Sequence, residues 1–157
     1  MAKRIERVIV EHIPDDNTDL SHLGEYTNSP GYKNEAIDRK ERGDMGKGEY
    51  RYFVPGMTGE ETGNPDSPEQ DYQRMENYNR GDWQMIGIRA SAEIVVDGVC
   101  QTITSGGLWG IESDSGADYF SEVGRDELGQ LRGLLAELGF STKAIAKAMK
   151  ACDPCGV

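Results

Sequence analysis

Residues 79–118 read NRGDWQMIGIRASAEIVVDGVCQTITSGGLWGIESDSGAD, and they dictate their own structure. The even positions from 86 to 96 are Ile86, Ile88, Ala90, Ala92, Ile94 and Val96, while the odd positions include Arg89, Ser91 and Glu93. Period-two alternation of this kind marks a half-buried strand. Asp97-Gly98 then supplies the two positive-φ residues of a tight type I′ hairpin turn. The return strand covers 99–104. A two-residue loop pairs Val96 with Val99, Ile94 with Gln101 and Ala92 with Ile103 on the core face. Val95 then pairs with Cys100, and Glu93 with Thr102, on the other. Gln101 falls on the apolar side, so its amide needs a sheet edge or a polar network. The stretch closes on Ser105-Gly106-Gly107, Trp109 and an acidic loop with Glu112, Asp114 and Asp118.

Outward from this hairpin, residues 4–13 alternate and stop at Pro14, giving a first strand. Residues 14–48 and 55–67 read as long loops rich in Gly, Pro, Asp and Asn. Between them, EYRYFV at 49–54 is a short aromatic strand. Residues 67–79 form a helix, with Ser67 as N-cap, Pro68 at the first position and Gln70 completing a capping box. After a short turn at 119–120, a helix from about Asp126 carries Leu128, Leu131, Leu134, Leu135 and Leu138 at helical spacing and stops at Gly139. Ser141 caps a last helix with Ile145, Ala148 and Met149 on one side. The expected fold class is α+β. About four antiparallel strands surround the central Asp-Gly hairpin, helices pack on one face, and the C-terminal helices form an αα-hairpin. One domain spans 1–151, and 152–157 is a flexible tail. Arg-Gly-Asp occurs at 42–44 and 80–82, both times at an expected turn.

The chain has 157 residues and a net charge of -11; its mean hydropathy is -0.65. No apolar run is long enough to span a bilayer, and no signal segment opens the sequence, so a cytoplasmic location is expected. Between 93 and 137, nine acids face two bases, Arg125 and Arg132. An acidic field repels phosphate and favours basic partners, although a merely solvated surface has the same composition.

Few chemistries are legible. Glu112, Asp114 and Asp118 resemble a calcium loop, but Gly116 occupies a ligand position and no bidentate Glu follows; helix capping is the simpler reading. Cys152-Asp153-Pro154-Cys155 is half of a zinc site, with His12 and His22 far away in sequence. No phosphate-cradling loop and no Ser/His/Asp or Cys/His arrangement is present. No catalytic residue, metal ligand or cofactor is therefore assigned. Residues 134–145 look like the turn of a helix-turn-helix, with Lys143, Lys147 and Lys150 as a basic stripe, but a plain αα-hairpin needs no third helix.

Three segments resemble a known group: residues 74–83 (RMENYNRGDW), 105–113 (SGGLWGIES) and 23–26 (LGEY). They are similar to small uncharacterised proteins encoded by bacteriophages and other mobile elements. The resemblance carries no activity or catalytic residues. It implies context: small acidic proteins of such elements bind host proteins, including restriction and CRISPR machinery.

The leading expectation is a non-enzymatic acidic binding protein, a counter-defence inhibitor or DNA mimic, facing a basic nucleic-acid-handling host protein. Its surface would comprise Glu93, Asp97, Glu112, Asp114, Asp118 and Glu122, with Trp109 as aromatic anchor. Membrane and direct nucleic-acid partners are not expected; a homodimer stays open. The rivals are a DNA-binding regulator acting through the C-terminal helices and a metal-dependent enzyme at the 112–118 loop.

Overall fold

The computed structural model describes residues 2–31 and 35–156. Residues 32–34, inside the expected 14–48 loop, and Val157, the end of the expected tail, lie outside the described residues. In chain order the elements are β1 Lys3–Pro14, β2 Gly24–Thr27, β3 Ile37–Asp38, α1 Arg39–Arg42, β4 Tyr52–Pro55, α2 Gly59–Thr62, α3 Ser67–Asn79, β5 Met85–Val96, β6 Val99–Thr104, β7 Leu108–Glu112, α4 Ala117–Glu137 and α5 Thr142–Lys150. The fold is α+β. Its contacts divide into two units, 2–16 with 84–156 (unit 1) and Asn17–Trp83 (unit 2). Where one domain was read, unit 2 has its own sheet and its own aromatic core.

Unit 1 is built on β5. β1 pairs antiparallel along its whole length, with a bulge between Ile5 and Arg7. On the other side β6 takes the C-terminal half of β5 and β7 takes the N-terminal half. The hairpin register is the one the alternation specifies: Val96 opposite Val99, Ile94 opposite Gln101, Ala92 opposite Ile103. Asp97 and Gly98 both have positive φ, 50° and 82°. Gln101 resolves as the edge case, exposed on β6. The even-numbered face of β5 and Val8 and Val10 of β1 meet Leu128, Leu131, Leu135, Phe140 and Ile145 from α4 and α5. Ala90 and Ala92, with no exposed surface, keep the centre of this face flat enough for the α4 leucines to seat. Burying side chains of this size stabilises the fold by roughly 1.5–3 kcal/mol each.

Several expectations change. The fourth strand of the main sheet is β7, not the aromatic strand; β4 belongs to a separate three-stranded sheet ordered β2-β4-β3. The segment read as the 14–48 loop carries β2, β3 and α1, and that read as the 55–67 loop carries α2. α4 starts at Ala117, well before 126, because its first turns bury Val123 and part of Phe120 against the core. The N-cap of α3 is Asp66 without a side-chain cap bond; Ser67 Oγ instead shares a 2.7 Å hydrogen bond with Thr62 Oγ1. The C-terminal segment is packed rather than free. His12 Nε2 lies 2.8 Å from the Cys155 carbonyl oxygen, and the Pro154 carbonyl rests on Gly124, where any Cβ would collide with it. α4 and α5 form the expected αα-hairpin, with Ile145 buried in the core.

In unit 2, Phe53 and Tyr72 have no exposed surface, and their ring centroids lie 5.3 Å apart. Tyr26 meets Phe53 edge-on at 5.3 Å. Trp83 is buried, donates its indole N–H to the Arg74 carbonyl at 2.9 Å, and lies under the Arg74 guanidinium.

Candidate functional site

The seven residues expected to form one acidic surface all fall in unit 1, but the sheet separates them. Asp97 sits at the hairpin end of β5, where its carboxylate accepts a hydrogen bond from the Ala2 amide at 3.1 Å. Glu93 pairs with Arg7 at 3.0 Å. Glu112 lies opposite Met85, at the other end of β5. At about 3.3 Å per residue, Asp97 and Glu112 are roughly 40 Å apart. Glu93 and Asp97 therefore leave the candidate surface.

The other five follow β7 into α4, with the Trp109 ring on the Gly87 face of the sheet and α4 on the opposite, even-numbered face. Trp109 lies across Gly87, where a Cβ would overlap its ring, and donates its indole N–H to the Gly106 carbonyl at 3.1 Å. The ring is oriented on the sheet yet 44% exposed. It is thus neither a core residue nor a loose one. Glu112 is half-buried and Asp114 exposed in the turn after β7. Ser115 closes that turn, donating its hydroxyl to the Glu112 carbonyl at 2.6 Å. Asp118 in the first turn of α4 and Glu122 four residues on share a helix face, and both are exposed. Asp118 complements the positive end of the helix dipole.

One acid of the same stretch behaves differently. Glu127 is 3% exposed. Its carboxylate accepts from Ser105 Oγ at 2.8 Å, the Gly107 amide at 2.7 Å and Gln130 Nε2 at 3.1 Å. Ser105 Oγ in turn accepts from the Ala90 amide at 2.9 Å. The network fastens the Ser105-Gly106-Gly107 bend to both β5 and α4, and this bend holds the Trp109 indole. A Ser–Glu pair suggests nucleophile chemistry, but Ser105 is 4% exposed and no imidazole joins it. The arrangement is a clamp.

Position 127 lies on the same helical face as Leu128, Leu131 and Leu135, so its spacing was the available signal for a core-facing acid. The second cluster had no such signal. In unit 2, Arg39 is 5% exposed. Its guanidinium donates to the Tyr50 carbonyl at 2.7 Å, Glu49 at 2.7 Å and Tyr72 Oη at 3.3 Å, pairs with Glu76 at 3.3 Å, and lies over the Tyr26 ring. Tyr26 donates to Glu76 at 2.7 Å, and Tyr72 donates to Asp44 at 3.0 Å. A cavity of about 390 Å³ opens beside it, lined by Tyr26, Arg39, Glu49, Tyr50, Glu76 and Asn79 among others. Tyr72, Glu76 and Asn79 share one side of α3, but Arg39, Glu49 and Tyr26 come from segments with no periodicity.

The charges of unit 2 imply a pH window. Hydrogen bonds from Arg39, Arg51 and Arg42 hold the carboxyls of Glu49, Asp38 and Glu69 below their usual range. Burial and the Glu76 hydrogen bond push the Tyr26 phenol up, and burial first of all raises Tyr72. Lowered carboxyls contribute stability that is present above their unfolded values near pH 4 and lost below. Raised phenols contribute stability present below about pH 10 and lost above. Asp71, raised by burial, opposes the three lowered acids. In a Trp109→Phe background, Trp83 fluorescence should report a stability plateau between roughly pH 5 and 9 with losses on both sides. A stability rising steadily into acid would contradict this ion pairing.

Elsewhere, Cys155 Sγ faces the Ala117 carbonyl at 3.9 Å and Cys152 Sγ the Asp153 carbonyl at 3.7 Å, and burial raises the Cys152 thiol. Folding brings His12 to this segment, contrary to their separation in sequence, yet the thiols point to carbonyls. Among the described residues, no group of three His, Cys, Asp or Glu side chains converges to hold a metal. No helix among them is long and apolar enough to cross a membrane. Comparison with protein-family models, curated proteins and solved structures returns no match.

Proposed function

We propose that this protein is a non-enzymatic binding protein. It presents the acidic end of unit 1 to a basic surface on a nucleic-acid-handling protein of a bacterial host. The observation that carries the reading is the placement of Trp109. A large aromatic ring, pre-oriented on Gly87 and fastened through the clamped 105–107 bend, remains 44% exposed on the strand that ends in Glu112. Rigid, exposed aromatic anchors are what binding hot spots are made of. The resemblance to phage and mobile-element proteins supports a counter-defence role, of anti-restriction or anti-CRISPR type, acting in the bacterial cytoplasm.

The test is capture from a bacterial lysate with wild type, Trp109→Ala and Asp114→Lys/Asp118→Lys. A nucleic-acid-handling protein should be retained by wild type alone. It should elute near 1 M salt, where the screening length falls to about 3 Å. The double variant should stay folded, losing at most about 1 kcal/mol from the helix-dipole term at Asp118. Retention of the same protein by both variants would refute this surface.

A further inference from the structure

The C-terminal half of α4 and α5 form an apolar groove of opposite electrostatic character to the rest of the chain. The groove, of about 610 Å³, is lined by Arg132 and Ala136 of α4 and by Ile145, Ala146, Met149 and Lys150 of α5, among others. Residues 128–152 carry four bases (Arg132, Lys143, Lys147, Lys150) and one acid, Glu137, in a chain of net charge -11. All four bases are exposed. Leu134 and Leu138 of the same helix are also exposed, at 36% and 46%.

Beside this groove, α4 carries two glycines that its own packing does not require. Gly129 and Gly133 lie on the helix face that also carries Arg132 and Ala136. A Cβ at either glycine would meet nothing within 4 Å. Glycine inside a helix lowers its stability relative to alanine, and is kept where another backbone must approach closely. Among the described residues, none makes that approach.

We infer that this groove is a docking site for an acidic amphipathic helix of a partner protein. Charge complementarity selects the occupant. Arg132 and Lys150 attract an acidic segment at this groove in a chain of net charge -11, while the apolar floor demands an apolar stripe on the incoming chain. A phosphodiester backbone offers the charge but no apolar stripe to bury. The groove lies roughly 25 Å along α4 from Asp118, at 1.5 Å per residue. It is separate from the Trp109 surface.

The probe is a fluorescein-labelled helical peptide of Leu, Ala and Glu, about 18 residues or five turns long. A control carries Lys in place of every Glu. In fluorescence anisotropy the Glu peptide should bind at least about tenfold tighter than the control, with an affinity that falls as salt rises. Ala136→Glu/Ala146→Glu, at exposed small residues that line the groove, should abolish binding while circular dichroism stays that of wild type. Arg132→Glu/Lys150→Glu, a second variant that leaves the groove's apolar floor intact, should weaken binding roughly tenfold. Asp114→Lys/Asp118→Lys should leave it unchanged, which separates this site from the proposed function. Equal binding of the two peptides, or full binding by Ala136→Glu/Ala146→Glu, would overturn the inference. So would a duplex-DNA gel shift or binding to anionic vesicles, abolished by Lys150→Glu, in a protein that ignores the Glu peptide.

Discussion

Replacing Arg39 by alanine should destabilise unit 2 by about 3–5 kcal/mol, the range for removing one partner from a buried ion pair. The guanidinium meets β4's approach segment, through the Tyr50 carbonyl and Glu49, and α3, through Tyr72 and Glu76, at once. On its removal Glu76, 20% exposed in the intact protein, loses this cation and keeps the Tyr26 hydroxyl as a donor. The Tyr50 carbonyl and Tyr72 hydroxyl lose a partner, and Tyr26 loses its cation. Arg39→Lys should recover little, because an ammonium cannot reproduce the planar fork that reaches three acceptors. Urea unfolding followed by Trp83 in a Trp109→Phe background measures this. A loss below about 1 kcal/mol would place Arg39 with ordinary surface ion pairs.

The second large effect is expected at Glu127. Glu127→Ala leaves the Gly107 amide and the Ser105 hydroxyl without their acceptor. Each buried unsatisfied donor costs roughly 1–3 kcal/mol, so a total near 3 kcal/mol is expected. Glu127→Gln keeps the shape and one acceptor oxygen and should cost less. The effect should reach Trp109, whose indole is held by the Gly106 carbonyl between those two donors. Acrylamide should quench Trp109 fluorescence more strongly in Glu127→Ala, measured in a Trp83→Phe background. Unchanged quenching together with wild-type stability would show that solvent replaces the carboxylate without cost. If the Trp109 surface binds as proposed, Glu127→Ala should weaken it without touching it, because a looser ring has more freedom to lose on association.

The clearest sequence signals are local, and they are the ones the fold follows. Alternation over 86–96 sets which face of β5 is buried, and Asp97-Gly98 sets the loop length. Together these determine every pair from Val96–Val99 to Ala92–Ile103, because a one-residue slip would turn the whole apolar set to solvent. The leucine spacing in α4 and the Gly139 stop are of the same kind. Tertiary structure decided whatever depends on distant segments meeting. β7 completes the sheet through a pairing to β5 across the 105–107 bend, and β4 leaves that sheet for β2 and β3. The long middle loops of the sequence became strands because Phe53 and Tyr72 provide a second core, which short, aperiodic segments cannot announce singly. The acidic surface read as one patch is parted by the length of β5, and Glu127, one of the nine acids between 93 and 137, is buried because its helical face looks inward. Composition counts charges; only the path of the backbone decides which of them share a surface, and which are removed from water altogether.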